Sequence, residues 1–263
     1  GGARGSLIVG ASTTPGLYLL PGLMGAFERD QPGISVDLRI ANSRTIEEQV
    51  RANELDLGLV GGHGLGPGEE CLAAGILDEL VLIVAPRHAW ARRARREPSD
   101  LGRERLLIRE EGSASRQVTE RALQRAGVKV GRMLVLGHTE AIKQAVMAGL
   151  GVAFVSIYAA RGELETGRLQ RVRLRGLRIQ RHFHVIHNEA RALTIRAKAF
   201  IAALQRFGQP AVAQRGRGAP AEPEAGTGSP ECRGDNGTKR AGGAGGEEAD
   251  AVTLVGDHRP QAK

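Results

Sequence analysis

The chain has 263 residues but only two cysteines, and aromatic residues make up 3% of it. Cys71 and Cys232 are far apart and neither belongs to a C-x-x-C pair, so a disulfide framework and a zinc cage are both excluded and reduced thiols are expected. No stretch approaches the ~20 continuous apolar residues of a bilayer span. The opening Gly1-Gly2-Ala3-Arg4-Gly5-Ser6 has no apolar signal-peptide core. A cytoplasmic protein without a membrane partner is therefore expected. Three catalytic signatures are also missing: the Gly-x-Ser-x-Gly elbow, the P-loop, and the dinucleotide glycine fingerprint in strand-turn-helix context. With no paired acid and base in view, the chain reads as a non-enzyme with no catalytic residue and no cofactor.

A shortage of a different kind begins at Gly208. From there to Lys263 there is no aromatic residue and no Ile, while Gly, Pro, Ala and Glu recur in runs. Such a segment buries too little apolar surface to offset its ordering entropy, so residues 208–263 are expected to be a disordered low-complexity tail.

What is abundant is positive charge. The formal net charge is +8, and 32 of the 37 basic residues are Arg. Residues 1–207 hold 30 Lys and Arg against 21 Asp and Glu, so the basic excess belongs to the part expected to fold. A basic domain attracts phosphate, nucleic acid or small anions through its summed field. The Arg runs 92–96 and 168–181 lack interleaved aromatics and any nucleic-acid recognition motif, and are expected to be solvated faces.

Residues 7–207 alternate short β-rich apolar runs with segments of helical period, the pattern of an α/β fold with mainly parallel strands. Strands are expected at 7–11, 34–40, 55–60, 79–85, 106–108, 133–136, 152–155, 169–174 and 182–187. Helices are expected at 15–28, 44–52, 113–127, 140–148, 157–165 and 194–207. Ser43 and Thr139 read as N-caps. His182, His184 and His187 fall on a strand that splits them between two faces, so no metal site is expected. His138, beside Thr139, reads as either a cleft histidine or a solvated loop residue.

Hydroxyls crowd several strand-to-helix turns: Ser12-Thr13-Thr14, Ser113 with Ser115, and Thr139. A helix N-terminus presents unpaired N–H groups and a partial positive charge, to which hydroxyls add donors. If these turns converge they form a cleft for a small anion; otherwise each hydroxyl caps its own helix.

Four stretches carry a family resemblance: residues 7–21, 27–36, 53–60, and 139–154, the last reading Thr139-Glu140-Ala141-Ile142-Lys143-Gln144-Ala145-Val146-Met147-Ala148-Gly149-Leu150-Gly151-Val152-Ala153-Phe154. In order and spacing the chain resembles the effector-binding (substrate-binding) domain of LysR-type transcriptional regulators, over residues 6 to about 207. The loop Arg109–Arg116 also looks like that of a subgroup including regulators of cysteine biosynthesis and carbon-fixation operons.

The resemblance implies two Rossmann-like α/β lobes around a central interlobe cleft, in a type 2 periplasmic-binding-protein arrangement. Lobe I would be 7–85 plus 176–207 and lobe II 86–175. It places effector contacts at Ser12, Thr14, the backbone near Gly61, the Ser113 to Ser115 turn and Thr139, and the hydroxyl-rich first turn adds Thr13 to the expected site. It further implies a small anionic effector and a homodimer or higher homo-oligomer, in which the 15–28 helix of one subunit meets the 115–126 helix of the next. Such regulators read DNA through a winged helix-turn-helix that this chain does not show. A stand-alone solute-binding protein for a small anion is the alternative reading.

Overall fold

Strand β1 (Gly5–Ser12) leads into α1 (Thr13–Tyr18) and α2 (Leu20–Asp30), followed by β2 (Ile34–Ala41), α3 (Ser43–Arg51), β3 (Leu57–Gly61) and the long β4 (Glu69–Val84). Two 3-10 turns, Ala89–Arg92 and Pro98–Arg103, flank the short β5 (Arg95–Arg96). Then come β6 (Arg105–Arg109), α4 (Ala114–Arg125), β7 (Arg132–Leu136), α5 (Thr139–Met147), β8 (Val152–Ser156), α6 (Ile157–Glu165), β9 (Gln170–Leu174), β10 (Ile179–Asn188) and α7 (Ile195–Gly208). The computed structural model describes residues 4–62, 69–92 and 95–208, with the backbone alone for 69–75 and 208. The expected disordered tail and Cys232 lie outside the described residues. All described residues belong to one compact unit.

The sheet runs β2-β1-β3-β10-β4-β8-β6-β7, with β9 pairing with β4 and β5. Each end of it is parallel: β1 pairs with β2 and β3, and β6 with β7 and β8. The middle is antiparallel, β10 against β3 and β4, and β4 against β8 and β9. Parallel pairing thus holds within each half, as expected, whereas the two strands that carry the chain between the halves of the sheet run against their neighbours.

Both faces are covered in each half, as in a Rossmann-like layer structure. In the first, Leu20, Leu23 and Phe27 of α2 and Phe200 and Leu204 of α7 pack on Leu7, Val9 and Leu57, while Ile46 and Val50 of α3 cover the opposite face with Leu55 and Val60. In the second, Trp90, Leu101 and Leu123 enclose one face, and Ile142 and Val146 of α5 the other. Burial at ~25 cal/mol per Å² makes these clusters the main stabilising term of the fold.

The single helix expected over 15–28 is two helices. Pro21 lacks an N–H, and its ring would clash with the carbonyl of Leu17 in a continuous helix, so α1 closes at Leu19, whose N–H bonds Pro15 O at 3.1 Å, and α2 starts afresh. The expected 79–85 strand begins at Glu69. Two cap assignments are also corrected. Asn42 caps α3, accepting from Thr45 N at 3.0 Å, and Ser43 is the first helical residue; His138 occupies the N-cap position of α5, and Thr139 is inside the helix.

Candidate functional site

A cavity of about 200 Å³, counting space open to solvent, lies where the turns after β1, β2 and β6 meet β10. Ser12, Thr13, Thr14, Asn42, Ser43, Arg109, Ser113, Ala114, Ser115 and Arg181 form its wall. Five of the seven residues expected at the site therefore line one space. The turns belong to the carboxyl ends of parallel strands, where open α/β sheets bind ligands.

The remaining two sit immediately behind the wall. Thr139 Oγ1 accepts from Arg109 Nη1 at 2.9 Å. Gly61 leaves room for an arginine: a Cβ there would lie 2.7 Å from Arg181 Nη1 and 3.0 Å from Ala114 Cβ.

The hydroxyls are not consumed by capping. Ser12 and Ser113 occupy N-cap positions but make no side-chain cap bond. Among the described residues none supplies an acceptor to the N–H groups of Ala114 and Ser115, the first two of α4, so these donors stay open beside the cavity. The N-terminus of α3 is more fully used, since Arg44 N donates to Gly112 O at 3.2 Å and Thr45 N to Asn42.

Two arginines dominate the electrostatics, and neither is among the residues expected at the site. Arg109, at the end of β6, is held by Glu110 through Nε–Oε2 at 2.7 Å and Nη2–Oε1 at 2.8 Å, and its Nη2 also reaches Thr13 Oγ1 at 3.3 Å. Its guanidinium thus joins Thr13 in one half of the sheet to Thr139 in the other.

Arg181 is buried, which corrects the reading of the 168–181 arginines as one solvated face. Its Nε donates to Asp78 Oδ2 at 2.9 Å and its Nη2 to Thr14 Oγ1 at 3.4 Å. Burial lowers its pKa against the opposing pull of Asp78, and Arg109 lowers it further. Asp78 is pushed up by burial and pulled back by Arg181 and by the Ser156 hydroxyl, which donates at 2.6 Å. We take the pair as ionised, because each charge has its counter-charge and a further polar partner in place. A signal for Arg181 does exist in the sequence: it alternates with Ile179, Phe183 and Val185 on the buried side of β10.

Other candidates lie elsewhere. His138 is exposed and does not line the cavity. His182 and His184 are half-buried, whereas His187 is buried. Among the described residues no group of three His, Cys, Asp or Glu is arranged to hold a metal ion. A cavity of about 280 Å³ beneath the start of α7 is lined by Asn53, Asp56, His187, Asn188, Arg191 and Thr194. Several of its polar groups serve the fold: Asp56 accepts from Ile8 N and pairs with Arg191, while Asn188 donates to Arg51 O and Asn53.

With this geometry in view, the LysR substrate-binding domain model matches residues 1–209. The chain belongs to the LysR substrate-binding domain family. As a member of it, the chain is 38% identical over 192 residues to a probable RuBisCO transcriptional regulator of Cyanidium caldarium, covering 71% of this chain and 61% of that protein. A protein of the same name from Cyanidioschyzon merolae is 38% identical over 194 residues, covering 71% and 63%. The LysR domain thus spans under two thirds of the length of these relatives. Among solved structures, the Synechocystis PCC6803 CcmR regulatory domain in complex with 2-PG matches with a TM-score of 0.72 at 27% identity, over 78% of this chain and 98% of that one. The effector-binding domain of QuiR in complex with shikimate, at 16% identity and a TM-score of 0.70 over 78% and 98%, shares the fold. These neighbours place the mixed sheet and its cleft in the periplasmic-binding-protein-like architecture of LysR effector domains.

Proposed function

We propose that the chain is the ligand-sensing domain of a LysR-type transcriptional regulator, and that its cavity takes a small organic anion of the size and charge class of 2-PG. The observation that carries this reading is the convergence of Arg109 and Arg181, from opposite halves of the sheet, on one hydroxyl-lined cavity. Guanidinium forks match carboxylate and phosphate oxygens, and buried charge-assisted hydrogen bonds are the strong ones. The open N–H groups of α4 add donors for the same anion.

The assigned contacts are Ser12, Thr13, Thr14, Ser113 and Ser115, with Arg109 and Arg181 supplying charge and Thr139 and Gly61 shaping the wall. Lobe I would comprise 7–85 and 176–207, and lobe II 86–175. The effector makes and breaks no bond; it binds one lobe geometry better than another and shifts a population. DNA would be read by a winged helix-turn-helix in the portion of the relatives' length that this chain does not span. That role places the protein in the cytoplasm. Exposed Leu17 and Ile40 near one sheet edge, and Met133 and Val135 on the other edge strand, support antiparallel pairing of two subunits.

Calorimetric titration with 2-PG tests the proposal. Saturable binding that Arg109→Met abolishes is expected. Binding that Arg109→Met leaves unchanged would remove the cavity from the account.

A further inference from the structure

Away from the cavity wall, α1, α5 and α6 share a polar cluster. Lys143, buried on α5, directs its Nζ to Ala159 O at 2.7 Å, to both Glu163 carboxylate oxygens at 3.1 Å, and to Glu140 Oε1 at 2.8 Å. Its three N–H bonds are thus fully used, and Glu140, at the first turn of α5, is anchored. The Tyr18 hydroxyl at the end of α1 donates to that same Glu140 Oε1, and Lys143 Nζ lies 5.7 Å from the centre of the Tyr18 ring.

Tyr18 belongs to the first half of the sheet and Glu140 to the second. Among the described residues Arg109 also reaches Thr13, which lines the cavity, and Arg44 reaches Glu111, which is exposed. The Tyr18–Glu140 bridge differs from both. It stands off the cavity, yet it ties together the two helices whose first residues are at the site, since α1 opens with Thr13 and Thr14 and α5 with Thr139.

We infer that Tyr18 is a positioning residue that sets anion affinity without touching the anion, by holding α1 against α5 in the geometry that brings Thr13, Thr14 and Thr139 around Arg109 and Arg181. The inference rests on the binding reading above. Because Lys143 already fixes Glu140, Tyr18 engages a pre-ordered acceptor and little side-chain entropy opposes the bond. When only part of the population has the competent geometry, apparent affinity falls by that fraction. A hydrogen bond to a charged group is worth about a tenfold change in such an equilibrium.

Tyr18→Phe keeps the ring and removes the bridge. Tyr158→Phe is the control: it also deletes a tyrosine hydroxyl, one that donates to Leu77 O at 3.1 Å without joining α1 to α5. With 2-PG as the titrant, Tyr18→Phe is expected to raise Kd by about three- to tenfold and Tyr158→Phe to leave it within error of the parent. Hydrogen exchange on the unliganded proteins is a second readout. The amides of Thr14, residues 16–19 and residues 139–143 should exchange faster in Tyr18→Phe only. Unchanged Kd and exchange in Tyr18→Phe, or equal changes in both variants, would overturn the role of Tyr18. Failure of the parent protein to bind 2-PG counts against the effector assignment instead, and the exchange data then decide whether Tyr18 holds α1 to α5.

Discussion

Asp78 and Arg181 are partners in register across β4 and β10, the two longest strands, and their side chains meet at 2.9 Å with neither exposed to solvent. One end of this ion pair reaches the cavity through Arg181. The other reaches the second half of the sheet through Ser156, the N-cap of α6. A negative charge entering the cavity would therefore compete with Asp78 for the guanidinium, at the strands that join the two halves.

Removing one member of that pair leaves the other charged and buried without compensation. Asp78→Asn is expected to lower unfolding free energy by about 3–5 kcal/mol, against a smaller loss in the double variant Asp78→Asn/Arg181→Met. Urea unfolding of the two proteins measures the difference, and equal losses would mean that Arg181 does not depend on Asp78.

Arg109→Lys keeps the charge but loses the fork that reaches Glu110, Thr13 and Thr139 together. Anion affinity is expected to drop by at least about tenfold, because a lysine offers a point charge on a flexible stem. Titration with 2-PG reads this directly; near-parent affinity would show that charge alone suffices.

Gly61→Ala places a methyl where Arg181 Nη1 and Ala114 Cβ already lie. Overpacking of this kind typically costs about 1–3 kcal/mol. The displaced guanidinium should also weaken anion binding, so thermal unfolding and titration should change together.

Glu140 has its pKa lowered despite the opposing effect of burial, through hydrogen bonds from Lys143 and Tyr18 and the positive charges of Lys143 and Arg168. A carboxylate with a lowered folded-state pKa adds stability that is present above the ordinary Glu value of about 4.3 and disappears as pH falls through the folded-state value. Glu140→Gln should accordingly reduce the acid dependence of stability in that window while remaining folded at pH 7. An unaltered acid limb in a pH series of denaturation curves would show that Glu140 is not coupled to folding.

Leu17 is 47% exposed, Met133 56% and Val135 51%, and the last two stand side by side on the edge strand β7. If these surfaces pair two subunits, Leu17→Glu or Met133→Glu should yield monomers in sedimentation velocity while leaving 2-PG binding largely intact. A parent protein that is monomeric at tens of micromolar, the order expected of weak association, would argue against this pairing.

Periodicity and turn chemistry in the sequence determined the strand and helix order: the alternation from Ile34 to Ile40 and the 3.6-residue spacing of Leu20, Leu23 and Phe27 are local signals, and burial of Ile34, Leu20, Leu23 and Phe27 reinforces them. The hydroxyl-rich turns were legible for the same reason, since backbone donors at helix starts are a property of the chain itself. What the tertiary structure decided is pairing over long separations. Arg181 reads as one arginine in a basic series until β10 is laid beside β4, 103 residues away from it at Asp78. Arg109 meets Thr13, and Tyr18 meets Glu140, only because the two halves of the sheet face one another. Local composition records which residues can donate or carry charge, whereas the desolvation and proximity that make those charges matter arise from strands brought together by the fold.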